Sequence, residues 1–104
     1  MTTLTKRLIA AFAAALAVHG AAADEVPFIT TPDHVTLAML RLADVRAGDT
    51  VLDLGSGDGR IPITAARRFG ARGIGVEIVP DLVAKSRVNA EKAGVADRVQ
   101  FVEQ

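Results

Sequence analysis

Val51-Leu52-Asp53-Leu54-Gly55-Ser56-Gly57-Asp58-Gly59 is the stretch on which the fold turns. Apolar residues flank an acid, and three glycines come next at alternate positions. The apolar half predicts a strand buried on both faces, as strands of parallel sheets are. The glycine half predicts a turn where backbone approaches a ligand, since glycine takes positive φ readily and puts no Cβ in the way. Such a turn is expected to present N–H groups at close range. The next apolar run, Gly73-Ile74-Gly75-Val76-Glu77, ends in a second acid. Strand, glycine turn, helix, strand and acid together make the layout of a nucleoside-binding βαβ unit, with the acid on the ribose hydroxyls.

Asp58-Gly59 could instead close a hairpin, but a hairpin needs an alternating strand after the turn. The chain continues as Arg60-Ile61-Pro62-Ile63-Thr64-Ala65-Ala66-Arg67-Arg68-Phe69-Gly70. Ile61, Ala65 and Phe69 recur at helical spacing, and Gly70 falls where a helix C-cap belongs. Pro62 lies in the first turn, where its missing N–H has no intrahelical partner to lose. Arg67-Arg68 fits the solvated last turn of that helix, where cations oppose the dipole.

Bulk composition narrows the chemistry. The chain has 104 residues, half of them apolar, with twelve basic and twelve acidic side chains and no Cys. Disulfides and thiolate metal sites are therefore excluded. With only His19 and His34, a His-rich metal site is excluded too, and nothing arranges a nucleophile around His34, which fits the first turn of a helix. Neutral charge, no Tyr or Trp and no longer basic run give no sign of a nucleic-acid partner.

Residues 1–23 are expected to be a signal peptide or N-terminal anchor rather than fold. Lys6-Arg7 begins it, Leu8 to Val18 is an uncharged apolar run, and Ala21-Ala22-Ala23 supplies a small-residue cleavage site before Asp24-Glu25. The run is too short for a stable transmembrane span. Its removal takes Lys6 and Arg7 and leaves a slightly acidic remainder. The expected location is exported, periplasmic or secreted; an uncleaved leader makes it membrane-anchored, and a start codon placed too early makes it cytoplasmic.

Residues 24–104 are expected to form one α/β unit. An extended lead-in (Asp24 to Ile29) is succeeded by a helix start at Thr30-Thr31-Pro32-Asp33, with a Thr cap and an acid at the positive dipole end. Val35, Leu37, Ala38, Met39, Leu40 and Leu42 make that helix apolar on most of its circumference. Strands are expected over Thr50 to Leu54, Gly73 to Ile78 and Arg98 to Val102. Helices fall between them, the second opening at Pro80-Asp81 and turning Leu82, Val83, Ser86, Ala90 and Ala93 inward before Gly94. Right-handed crossovers place these three strands in the order 3-2-1.

The run Asp53-Leu54-Gly55-Ser56-Gly57-Asp58-Gly59, joined to Gly75-Val76-Glu77, resembles the donor-binding half of class I (seven-stranded, Rossmann-like) S-adenosylmethionine-dependent methyltransferases. The likeness covers roughly Thr31 to Gln104. It implies a partial doubly wound parallel sheet and S-adenosylmethionine as cofactor. Gly55, Ser56, Gly57 and Gly59 would pass under the methionine part, with Asp53 toward its ammonium group. Glu77 would take both ribose hydroxyls and Ile78 would lie against the adenine. Thr31 and Pro32 resemble a segment that lines the cofactor in some members. The motif followed by Arg60 is most similar to a branch containing protein-lysine methyltransferases, a hint of a protein acceptor. No catalytic residue is implied, because methyl transfer rests mainly on holding donor and acceptor in line and excluding water.

The resemblance implies further strands after Gln104, including the fourth strand beside Thr50–Leu54. The expectation is thus a truncated or partial methyltransferase, inactive alone, with an unpaired apolar edge on its first strand that invites self-association. Two other readings stay open: a non-catalytic nucleoside- or nucleotide-binding module, and a nicotinamide-dependent oxidoreductase half-domain. The third glycine comes one residue early for the dinucleotide motif, and no Gly-Lys-Ser/Thr succeeds it for a P-loop.

Overall fold

A computed structural model describes residues 7–12 and 29–104. The elements run β1 (Leu8–Phe12), α1 (Asp33–Leu42), β2 (Thr50–Leu54), α2 (Arg60–Phe69), β3 (Arg72–Glu77), α3 (Pro80–Lys92) and β4 (Val99–Glu103). All four strands are parallel and lie side by side in the order β1-β2-β3-β4. The three strands expected from sequence thus take their 3-2-1 order.

A fourth strand comes from an unexpected place. Leu8–Phe12 lies inside the apolar run assigned to an export leader, yet it pairs with β2 in the register Leu8↔Thr50 to Phe12↔Leu54. The Thr50 amide donates to the Arg7 carbonyl at 2.8 Å, and Arg7 Nε lies 3.8 Å from Asp49 Oδ1. Ile9 packs on the core formed by Leu40, Val45, Val51, Ile61, Ala65 and Ala71. This corrects the expectation of an unpaired, association-prone edge on Thr50–Leu54. An uncovered apolar strand edge and a nearby apolar segment satisfy each other's backbone groups. The remaining leader features (Lys6, His19, Ala21-Ala22-Ala23) and the lead-in from Asp24 to Phe28 lie outside the described residues.

The helices share one side of the sheet. Leu40 of α1 and Ile61 and Ala65 of α2 meet Val51, while Ile63 and Ala66 of α2 and Val83 and Ala90 of α3 meet Phe101. Of a doubly wound arrangement the described residues supply one helical layer. Leu52, Ile74, Val76 and Val102, on the opposite sheet face, are only half-buried. Among the described residues no helix is long and apolar enough to cross a membrane.

Two helix ends show how far local chemistry reaches. Gly70 caps α2 in the left-handed region, at φ 69°. Its N–H donates to the Ala65 carbonyl, as a C-terminal glycine should. For α1 no Thr cap forms: Pro32 is the N-cap at φ −57°, ψ 147°, with no side-chain cap bond. A proline disfavours helical geometry in the residue before it, so Thr31 stays outside the helix and its carbonyl is taken up elsewhere.

Candidate functional site

The glycine turn sits at the C-terminal ends of β2 and β3, where ligands of parallel α/β sheets bind. Gly55, Gly57 and Gly59 take φ of 78°, 57° and 85°. Only glycine adopts that region readily. The turn is stapled to the next strand, because Gly55 and Ser56 N–H both donate to the Val76 carbonyl (2.7 and 2.9 Å). Gly59 N–H donates to the Ser56 carbonyl at 2.9 Å, and Gly57 N–H to Glu77 Oε1 at 2.9 Å. The expectation that the turn offers free N–H groups is corrected at these four positions. A sharp turn inside a packed fold has to satisfy its own donors.

Glu77 is the hinge of the arrangement. It is buried, and its two oxygens accept one amide each, from Gly57 and from Val79 (both 2.9 Å). The carboxylate thereby ties the turn after β2 to the turn after β3 and is held in one orientation. A carboxylate has about four acceptor positions, so half of that capacity remains for a ligand.

The other expected residues divide into two sets. Asp53 is fully buried at the end of β2, and Ile78 stands 75% exposed just past Glu77. Over Gly55 an added Cβ would meet nothing within 4 Å, so the backbone there borders open space. Gly59 and Ser56, like Asp53, face the protein interior. A Cβ on Gly59 would fall 2.6 Å from the Phe101 ring, and the Ser56 hydroxyl is buried against Gly75 with no hydrogen-bond partner among the described residues. Any contact these two make with a ligand falls to their backbone. His34 is an exposed first-turn residue of α1, as expected.

Four residues were given no such role from sequence. Ser86 Oγ lies 2.9 Å from the Gly57 carbonyl, and Asn89 Nδ2 donates to the Asp58 carbonyl at 3.0 Å, so α3 grips the turn from behind. Arg60 forks onto Asp58 through Nε (3.1 Å) and Nη2 (2.7 Å), and its Nη1 donates to the Thr31 carbonyl at 2.9 Å. Helical spacing marks Ser86 as inward, but no local signal tells what an inward hydroxyl will meet. Burial by itself would raise the Asp58 carboxyl, but hydrogen bonds from Arg60 and its charge more than offset this and hold it below its ordinary value. Asp58 in turn raises Arg60 above its ordinary value.

Open space over Gly55 and the unused acceptor capacity of Glu77 fit a nucleoside whose tail runs across a glycine turn. The family comparison agrees with that geometry. The ANTKMT methyltransferase domain family matches residues 53–104. A protein-lysine N-methyltransferase of Saccharolobus islandicus (strain REY15A) is 45% identical over 78 residues, 74% of this chain and 48% of that protein. An RNA methyltransferase from Salinibacter ruber, solved in complex with S-adenosyl-L-homocysteine, is 59% identical with a TM-score of 0.72, over 73% of this chain and 50% of that one. A SAM-dependent methyltransferase from Geobacter sulfurreducens, also in complex with S-adenosyl-L-homocysteine, is 34% identical with a TM-score of 0.68, over 79% and 32%. The chain spans about half the length of the first two of these proteins and about a third of the last.

Proposed function

The chain belongs to the class I S-adenosylmethionine-dependent methyltransferases, within the ANTKMT methyltransferase family, and on that basis we propose that its glycine turn and Glu77 hold the methyl donor for transfer to a protein acceptor. The observation that carries this is the Glu77 carboxylate, strung between the Gly57 and Val79 amides beside the open backbone of Gly55. When bound, the donor supplies an electrophilic methyl on a sulfonium sulfur. The chain's own residues supply position. Glu77 accepts from the two ribose hydroxyls, because a fixed carboxylate matches a vicinal diol. Asp53 offers negative charge to the ammonium group, and Ile78 offers apolar surface to the adenine. Gly55 and Gly57 let the tail lie against main chain. Rate enhancement of this kind comes from alignment and exclusion of water rather than from a general acid or base.

Calorimetric titration of the full chain with S-adenosyl-L-homocysteine tests the donor site. Micromolar binding is expected, and Glu77→Ala should abolish it; a wild-type chain that takes up none overturns the reading.

A protein acceptor is supported by the archaeal protein-lysine relative. A second reading, an RNA acceptor, is favoured by the 59% identity to a structure named as an RNA methyltransferase. Donor labelled in its methyl group, offered with a protein extract and with total RNA to the chain extended by the further strands its relatives carry, separates the two. Label in protein is expected, and label in RNA alone would replace the protein reading.

A further inference from the structure

Residues 29–31 precede α1 without helix or strand of their own. Among the described residues, their one hydrogen bond runs from Arg60 Nη1 to the Thr31 carbonyl. Arg60 comes directly after the last glycine of the donor turn, and its other two guanidinium nitrogens are fixed on Asp58. Asp58 is anchored in turn, because its carbonyl accepts from Asn89 of α3. The same Nη1 lies 3.4 Å from the exposed Asp33 carboxylate at the start of α1. One planar group therefore joins the turn, the arm before α1 and the first residue of α1.

We propose that Arg60 is a positioning residue that clamps the arm of residues 29–31 to the donor turn, so that the donor binds beside an arm already in place. The inference rests on the methyl-donor reading of the turn. Its physical basis is pre-organisation: a segment ordered before binding adds no ordering cost when the ligand arrives. The fork on Asp58 aims Nη1 at Thr31. Lysine at this position keeps the charge but has no rigid fork with which to hold both partners at once.

The test uses the full chain with Arg60→Gln and Arg60→Lys, read by melting temperature, backbone NMR relaxation and titration with S-adenosyl-L-homocysteine. Both variants are expected to show greater fast backbone mobility at Thr30, Thr31 and Asp33 in the free protein, while β2 and β3 stay rigid. Both should bind S-adenosyl-L-homocysteine about tenfold more weakly, and saturation with it should restore order to the arm. A merely structural role would lower the melting temperature without that ligand-dependent recovery. Unchanged arm mobility, or a released arm with unchanged affinity, overturns the proposal. Should the wild type bind no S-adenosyl-L-homocysteine, the donor reading falls, and arm mobility alone decides for or against the clamp. If Arg60→Gln fails to fold, Arg60→Lys carries the test.

Discussion

Gly75 has no need of unusual backbone geometry, yet a side chain there has nowhere to go. An added Cβ would stand 2.6 Å from Ser56 Oγ and 2.7 Å from Phe101. Gly75→Ala is therefore expected to push the glycine turn off β3 and cost about 1–3 kcal/mol, measured as a lowered midpoint in urea. Gly48 makes the opposite control, with φ +88° but open space around its missing Cβ. Gly48→Ala should cost only the left-handed penalty, about 1–2 kcal/mol, and leave ligand binding untouched. The Asp58–Arg60 pair sets a pH dependence of its own. The Asp58 carboxyl lies below its ordinary value of 3.8 when folded, so the pair stabilises the fold fully above that pH. That stability drains away as pH falls through the lower, folded value. Acid titration of Asp58→Asn should show a shallower loss than wild type in this window, and identical curves would refute the assignment.

Among the elements, β1 departs most from what its residues suggest alone. Leu8 to Val18 is uncharged and Ala-rich, a composition that fits a targeting segment at least as well as a strand. Only the vacancy beside β2 makes five of those residues a strand. The partly buried Ile9 packs against the core, so Ile9→Ala should loosen β1 at a cost of about 1 kcal/mol. Faster exchange of the Thr50 amide, whose acceptor is the Arg7 carbonyl, would report the loosening directly. Unaltered Thr50 protection would show that pairing survives without the anchor. By contrast α2 was legible throughout: its apolar spacing, Pro62 and Gly70 all act within the helix itself. The Thr cap foreseen for α1 failed because Pro32 takes the N-cap position, and Thr31, left outside the helix, gives its carbonyl to Arg60, twenty-nine positions away.

Across the described residues, one sheet face carries the three helices α1 to α3, and the other leaves Leu54 exposed with Leu52, Ile74, Val76 and Val102 half-buried. Docking of β1 also bears on where the chain goes, since the same residues cannot lie in the sheet and in an export channel together. Export is a proposal, motivated by Lys6-Arg7, the apolar run and Ala21-Ala22-Ala23. Fusion of residues 1–30 to a reporter active only outside the cytosol is expected to give signal, and activity confined to a cytosolic reporter would overturn it. Placed ahead of the whole chain, the same residues should export less well, because the folded sheet competes for them.

The strands β2, β3 and β4, the helices between them, the glycine turn after β2 and the acid at the end of β3 were written in the sequence. Each depends on periodicity, glycine conformation or an acid at a strand end, all properties of residues close together in the chain. Tertiary structure decided the rest. It turned Ser56 and Gly59 inward, spent the turn's amides on Val76, Ser56 and Glu77, and brought Ser86, Asn89 and Arg60 to the site. It also drew Leu8–Phe12 onto the edge of β2. Those outcomes depend on which groups meet across long stretches of chain, and no local pattern encodes a meeting.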